Sequence, residues 1–137
     1  MGDNKNTLSE LIKQFAEKND EKTAMVVDQK MFRNAYRAMV RIASTNNWHL
    51  YLVELDLKAK ESVKLSSYAD HLVELSASLL RCCDVIYKYS DSQIILLLMV
   101  KEKDDYLVPL HRVLYAHLKE GNVGVKVTFT QEEVANK

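Results

Sequence analysis

Two acidic residues lie near the end of a strand-like segment, with a spacing that could bind a divalent cation. Glu54 and Asp56 belong to the apolar segment from Trp48 to Leu57. Residues two apart on a β-strand point to the same face of a sheet. Their carboxylates could therefore share one Mg²⁺, a cation that prefers oxygen ligands. The alternative, which we favour, is a solvated pair of acids at a strand end.

The histidines and cysteines lack the spacing of a metal or catalytic site. The histidines are His49, His71, His111 and His117. They form no i,i+4 pair and no HExxH motif, so we expect surface histidines or hydrogen-bonded core histidines. Cys82 and Cys83 are the only cysteines, and adjacent cysteines rarely form a disulfide. Arg81 beside them would favour a reactive thiolate, yet free cysteines are usually buried, and we expect inert thiols.

The composition excludes several classes of function. The 137 residues contain 19 basic and 19 acidic side chains, so the chain has no electrostatic footprint for duplex nucleic acid or an anionic membrane. It has no apolar run long enough to span a bilayer and no signal peptide. Together with the two cysteines, this predicts a cytoplasmic protein. Its three glycines are Gly2, Gly121 and Gly124, which excludes a Walker loop and a dinucleotide-binding fingerprint.

The N-terminal part of the chain predicts two helices. Thr7 and Glu10 have the spacing of a capping box, and the apolar stripe that follows consists of Leu8, Leu11, Ile12 and Phe15. Asp28 is expected to cap a second helix, which the polar residues 44–47 end. The stripe of that helix consists of Phe32, Ala35, Tyr36, Met39, Val40 and Ala43.

From residue 48 onward, the pattern alternates between strands and helices. Trp48–Leu57 predicts a strand, and Tyr68, Leu72, Leu75 and Leu79 mark a helix. Val85–Tyr89 and Gln93–Val100 predict a hairpin, whose second strand is apolar throughout and therefore central in its sheet. A helix with leucines at 107, 110, 114 and 118 follows, with Pro109 tolerated in its first turn. The last strand is VKVTFT, from residue 125. This βαββαβ order predicts a ferredoxin-like α+β fold with helices on one face.

This order and several residues resemble the GGDEF domain of diguanylate cyclases, over roughly residues 23–130. The segment DVIYKYSDSQIILLL, from Asp84, is similar to the family's segment around its signature motif, with Lys88 and Tyr89 in place of Arg-Tyr. Ser90, Asp91, Ser92, Gln93 and Ile94 stand where the GGDEF residues should be. LYLVELDL resembles the family's strand that ends in Asp-x-Asp, and Phe32 matches a residue near the start of the family's first helix. The resemblance implies a GGDEF-type fold with one or two extra N-terminal helices.

The resemblance also implies that the catalytic motif is degenerate. The family joins two GTP molecules at a site where acids hold metals against phosphate oxygens. One family acid corresponds to Glu54 or Asp56, and the alignment leaves both open. The other corresponds to Ser92, which is neutral, and the next acid is Gln93. Ser90 and Asp91 replace the paired glycines, and Asp91 would repel a triphosphate.

A second departure from the family lies between Asp56 and Leu72. The family has a loop there that helps to recognise guanine, with asparagine, aspartate and glycine residues. The corresponding span here is shorter and contains no glycine or asparagine. We therefore expect no enzymatic activity and no cofactor, and Mg²⁺ would bind only if a residual nucleotide site exists.

The resemblance implies one further candidate site, for cyclic di-GMP, the second messenger of bacteria. Arg81 and Asp84 form an Arg-x-x-Asp, which in the family is a product-binding inhibitory site, and Arg112 falls where the family often adds an arginine. Arginine offers a planar fork to phosphate, and aspartate can accept from a guanine edge. The alternative is a helix-ending arginine with Asp84 capping a turn.

We expect residues 1–22 to form an N-terminal helix and linker, and residues 23–137 to form the degenerate GGDEF-like domain. The expected function is a non-catalytic regulatory or interaction module in signalling. The alternatives are a cyclic di-GMP receptor that uses Arg81, Asp84 and Arg112, and a residual nucleotide-binding enzyme. The expected partner is another protein, or a second protomer bound through the N-terminal helix.

Overall fold

The computed structural model describes residues 3–15, 24–60, 64–81, 83–120 and 124–135. In chain order, the elements are α1 (Asp3–Phe15), β1 (Met25–Val27), α2 (Gln29–Asn46), β2 (His49–Ala59), α3 (Leu65–Leu79), β3 (Val85–Ser90), β4 (Gln93–Val100), α4 (Leu107–Lys119) and β5 (Val125–Ala135). No helix among these residues is both long and apolar enough to cross a membrane.

The strands form one mixed sheet in the order β1-β3-β4-β2-β5. The pairs β3·β4, β4·β2 and β2·β5 are antiparallel, and β1 is parallel to β3. Without β1, this is the strand order of a ferredoxin-like sheet, which confirms the predicted α+β fold. It also confirms that the apolar strand β4 is central, because β4 lies between β3 and β2.

Alternation along β2 divides the core into two layers. Tyr51, Val53 and Leu55 point to the face covered by α3 and α4, where they pack with Leu72 and Leu110. Leu50 and Leu52 point to the opposite face, which α2 covers. The core on the α2 side consists of Val27, Met39, Ala43, Leu50, Val85, Leu97 and Ala135. The two helices of the βαββαβ unit thus share one face, as predicted, and the preceding helix α2 covers the other.

The ends of α2 follow from local side-chain chemistry. The Met31 N–H donates to the Asp28 carboxylate at 2.8 Å, which confirms the predicted N-cap. Asn47 ends the helix with a φ of 56°, a left-handed conformation that asparagine tolerates well. Pro109 is also where we predicted, in the first turn of α4.

The structure differs from the sequence-based expectations in four places. The capping box at Thr7 and Glu10 is wrong, because α1 begins four residues earlier, at Asp3. The short strand β1 was not predicted, since three residues carry too little periodicity. β2 and β5 extend beyond their predicted ends, to Ala59 and Ala135. The polar residues of β5 are compatible with a strand because it lies at the sheet edge.

The fourth difference is Cys83, which is exposed rather than buried. It lies in the turn between α3 and β3, where its Sγ contacts Oδ1 of the buried Asp84 at 4.0 Å while the residue itself stays exposed. Cys82 lies outside the described residues. The division between residues 1–22 and 23–137 stays a prediction, because residues 16–23 also lie outside them.

Candidate functional site

The tip of the β3–β4 hairpin is a closed network of polar side chains. The Ser90 hydroxyl donates to the Gln93 side-chain oxygen at 3.0 Å, and the Ser92 N–H donates to the Ser90 hydroxyl at 3.3 Å. The Gln93 amide then donates to the Glu54 carboxylate on β2 at 3.2 Å. The side chains of Ser90 and Gln93 therefore serve as partners for each other and for Glu54.

Glu54 and Asp56 lie on the α2 face of the sheet, beyond the part that α2 covers. In the antiparallel ladders, Glu54 lies opposite Ile95 and Thr130, and Asp56 lies opposite Gln93 and Thr128. Both acids are half-buried. Glu54 makes the side-chain hydrogen bond to the tip, whereas Asp56 is the register partner of Gln93. A cavity of about 350 Å³ beside Glu54 is lined by Leu52, Glu54, Ile95, Thr130, Gln131 and Glu132, and Asp56 is not among its lining residues.

The residues at the tip are a poor fit for the metal that the family's chemistry uses. Such a site needs carboxylates from both neighbouring strands, and β4 contributes only the neutral Gln93, with the neutral Ser92 in the turn. One of the two Glu54 carboxylate oxygens, Oε1, already accepts a hydrogen bond from Gln93. Across the residues that the structure describes, no three or more His, Cys, Asp or Glu side chains are grouped as metal ligands would be.

Asp91 pairs with Lys88 on the α3 side of the sheet. The Lys88 ammonium contacts the Asp91 carboxylate at 3.2 Å and the carboxylate of Asp70, on α3, at 2.7 Å. The hydrogen bond to Asp70 is the main reason that the pKa of Lys88 is raised. Asp91 is thus held on the α3 side, whereas Glu54 is on the other face. The expected repulsion between Asp91 and a triphosphate stays a prediction.

Arg81 and Asp84 form a fork-to-fork ion pair between α3 and β3. Arg81 Nη2 donates to Asp84 Oδ1 at 2.7 Å, and Arg81 Nε donates to Oδ2 at 3.0 Å. The Arg81 backbone N–H also donates to Oδ2, at 2.8 Å. The side-chain hydrogen bonds to Asp84 are the main reason that the pKa of Arg81 is raised. The Asp84 side chain is fully buried and the Arg81 side chain is 36% exposed, so only the arginine can reach a ligand from solvent.

A cavity beside Arg81 is lined by aromatic, basic and apolar side chains. Its volume is about 370 Å³, and its lining residues are Trp48, Arg81, Cys83, Met99, Val100, Lys101 and Asp105. Lys101 also lies over the Trp48 ring, at 5.5 Å from the ring centroid. Arg112 is exposed on α4 and is not among the residues that line this cavity. The structure therefore brings Arg81 and Asp84 together but does not add Arg112 to them.

The sequence did not reveal a polar cluster between α3 and α4. The Tyr68 hydroxyl contacts Nδ1 of the buried His117 and donates to Glu120 at 3.5 Å, and His71 contacts the other Glu120 oxygen at 2.7 Å. Burial, with a smaller contribution from Glu120, raises the pKa of Tyr68 to about 12. The signal was present as two i,i+3 pairs, Tyr68 with His71 and His117 with Glu120, on helices that pack together. The expectation of hydrogen-bonded or surface histidines is confirmed here.

Comparison with known proteins supports the fold. No protein-family model and no curated protein matches the sequence. Among solved structures, the chain is similar to the crystal structure of a DGC (diguanylate cyclase) protein from Thermotoga maritima, with a TM-score of 0.60 and 12% sequence identity. The similarity covers 80% of this chain and 82% of that chain. An identity this low indicates a shared fold and not a shared activity. The chain therefore has an α+β fold of the GGDEF type, as its resemblance to that family implied.

Proposed function

We propose that this chain is a non-catalytic, degenerate GGDEF-type domain that acts in signalling as a regulatory or interaction module. The observation that best supports this proposal is the hydrogen bonding at the hairpin tip. Gln93 donates to Glu54 and accepts from Ser90, so the position that should hold a metal and phosphates is occupied by neutral side chains bonded to each other.

The chemistry of nucleotide condensation explains why this arrangement matters. Attack of a hydroxyl on an α-phosphate requires metals that neutralise phosphate oxygens and carboxylates that hold those metals. With Ser92 and Gln93 neutral, Glu54 and Asp56 would have to hold the metal from one strand alone. A cation held from one side would not be positioned to bridge two substrates, and positioning supplies much of the rate in such reactions.

An exposed apolar stripe on α1 supports the interaction part of the proposal. Leu8 is 62% exposed, Leu11 38% and Ile12 68%. Large apolar side chains grouped on one face of a helix usually pack against a partner. This stripe would couple the domain to another domain or to a second protomer.

The test of the catalytic part is a product assay. The protein is incubated with GTP and Mg²⁺ or Mn²⁺, and the products are separated by chromatography. We expect no cyclic di-GMP above a control without protein. Cyclic di-GMP that is formed by the wild-type protein, lost in Glu54→Ala or Asp56→Ala and retained in Glu102→Ala, a matched change of an exposed loop acid, would contradict the proposal.

A second candidate function is a cyclic di-GMP receptor centred on Arg81. The cavity beside Arg81 favours it, because Trp48 offers a ring for stacking on a base, and Arg81 and Lys101 offer positive charge to phosphate. Asp84 would act by holding the guanidinium rather than by reading guanine, since its carboxylate is fully buried.

Calorimetric titration with cyclic di-GMP tests this candidate. A receptor should give saturable heat that weakens with salt. Arg81→Lys should bind poorly, because lysine cannot keep the paired hydrogen bonds to Asp84 and still offer a donor to phosphate. Arg112→Ala serves as the comparison for the residue that lies outside the cavity. No heat at high protein concentration would exclude the receptor and leave the interaction module.

A further inference from the structure

The strand β5 forms one edge of the sheet and exposes a long row of backbone groups. It spans the 11 residues Val125–Ala135 and pairs with β2 on one side. Within the described part of the chain, no strand lies on its other side. An open edge of this length is a template for pairing with another strand.

The hydrogen-bond pattern shows which residues of β5 offer their backbone groups to a partner. The Lys60 N–H donates to the Gly124 carbonyl at 3.1 Å, in register with the β2·β5 ladder. Backbone groups alternate in direction along a strand, so the even-numbered residues from Gly124 to Glu132 bond to β2, up to the register shift that pairs Ala135 with Leu50. The N–H and C=O groups of Val127, Phe129 and Gln131 therefore point away from the sheet.

We propose that β5 pairs antiparallel with β5 of a second copy of this chain, so that two sheets become one continuous sheet about a twofold axis at Phe129. In one continuous sheet, residues that lie opposite each other point to the same face. For the α4 sides of both copies to form one face, an even-numbered residue must lie opposite an even-numbered residue, so the partner of any given residue can change only in steps of two. With Phe129 opposite Phe129, Lys126 lies opposite Glu132 in both symmetric pairs. The neighbouring registers place Lys126 opposite Thr130 or Val134 instead.

Charge complementarity favours a second copy of β5 as the partner strand, with Phe129 opposite Phe129. Lys126 is the only basic residue of β5, and a lysine on an edge strand usually discourages pairing. Opposite Glu132 it gains a cross-strand ion pair, and the symmetry forms that pair twice. Glu132 of a second copy thus makes Lys126, which would otherwise discourage pairing at this edge, a favourable contact.

An apolar groove beside the edge supports the same interface. The groove lies between α4 and β5, has a volume of about 660 Å³, and is lined by apolar side chains that include Leu114, Leu118, Val127 and Phe129. Leu118 is 72% exposed. In the paired sheet, the α4 helices of both copies lie on the same face on either side of the axis. The two grooves then face each other, and association removes their apolar surface from water.

The interface is tested by sedimentation of the full chain over a wide range of concentration. We expect a monomer–dimer equilibrium for the wild-type protein. Lys126→Glu and Glu132→Lys should each raise the dissociation constant by roughly tenfold or more, because each places like charges opposite each other twice. An equal mixture of the two variants should recover the dimer, since each variant then meets the opposite charge. A wild-type protein that stays monomeric, or a mixture that does not associate, would overturn the proposal.

Two further variants separate this interface from others. Gln131→Pro removes a backbone N–H that points away from β2, and it leaves the hydrogen bonds between β5 and β2 in place. It should therefore abolish the dimer, whereas Gln131→Ala should keep it. Ile12→Glu changes the exposed stripe of α1 and should leave the dimer intact. A dimer that is lost in Ile12→Glu and kept in Gln131→Pro would assign self-association to α1 and overturn the β5 interface. The proposed non-catalytic function does not depend on either result.

Discussion

Replacing Asp84 with asparagine should destabilise the protein even though the shape of the side chain is nearly unchanged. The Asp84 carboxylate is fully buried and accepts from Arg81 Nη2 at 2.7 Å, from Arg81 Nε at 3.0 Å and from the Arg81 backbone N–H at 2.8 Å. An asparagine keeps one acceptor oxygen and turns an NH₂ donor toward the remaining Arg81 donors. At least one hydrogen bond to a charged group, a contribution of about 1.5–3 kcal/mol, is therefore lost.

The partial exposure of Arg81 limits the loss. Its side chain is 36% exposed and its Nη2 still donates to the Met99 carbonyl at 3.1 Å, so the guanidinium keeps some solvation and one partner. We expect a decrease of about 2–3 kcal/mol in the free energy of unfolding, below the range of roughly 3–5 kcal/mol for breaking a fully buried pair. The midpoint of thermal unfolding should fall by roughly 7–10 °C for a domain of this size.

Urea denaturation followed by circular dichroism measures this change. Glu74→Gln, a matched substitution of an exposed acid on α3 that makes no contact with Arg81 or Asp84, should change the free energy of unfolding by less than about 0.5 kcal/mol. Arg81→Ala combined with Asp84→Asn should cost less than the sum of the single changes, because both remove the same contact. A loss below about 0.5 kcal/mol in Asp84→Asn, or strict additivity in the double variant, would refute the structural role of this pair.

Three further predictions concern a helix cap, a buried tyrosine and the hairpin tip. Asp28→Ala should lower the free energy of unfolding by about 1 kcal/mol and Asp28→Asn much less in urea denaturation, because the carboxylate caps α2 at 2.8 Å. The pKa of Tyr68 is raised from 10.0 to about 12, so its contribution to stability is complete below pH 10 and is lost as the pH rises toward 12. In Tyr68→Phe, the free energy of unfolding should therefore fall less steeply between pH 10 and pH 12 than in the wild-type protein. Equal pH dependence of the free energy of unfolding in both proteins would contradict this prediction. Replacing Ser90–Gln93 with Gly-Gly-Asp-Glu should leave the protein inactive toward GTP, because the guanine-recognition loop is still missing, whereas clear turnover would show that this loop is dispensable.

The fold was largely predictable because its main elements have strong hydrophobic periodicity. The apolar run of β4 identified the central strand, and the leucines of α3 and α4 identified the helices on one face. β1 escaped prediction because it owes its conformation to pairing with β3, in which Met25 lies opposite Val85. The added length of β5 likewise comes from pairing with β2, because glutamate has a low strand propensity and Glu132 and Glu133 therefore do not predict a strand.

The site was predictable only as a set of residue types. The resemblance located Ser90–Gln93 at the hairpin tip, and the structure has the hairpin there. The bond between Gln93 and Glu54 joins residues 39 apart in sequence and depends on the register of β2 against β4. The burial of Asp84 could not be predicted either, because the sequence of an Arg-x-x-Asp motif is the same whether its side chains bind a ligand or stabilise a turn.

Calorimetric titration of the wild-type protein with GTP and Mg²⁺ tests most directly whether the hairpin tip has lost its nucleotide site. Because Ser92 and Gln93 are neutral and Gln93 donates to Glu54, we predict no saturable heat even at high protein concentration. Saturable binding that requires Mg²⁺ and disappears in Glu54→Ala or Asp56→Ala would contradict the proposal, since it would mean that acids of one strand suffice to hold a metal–nucleotide complex at this tip.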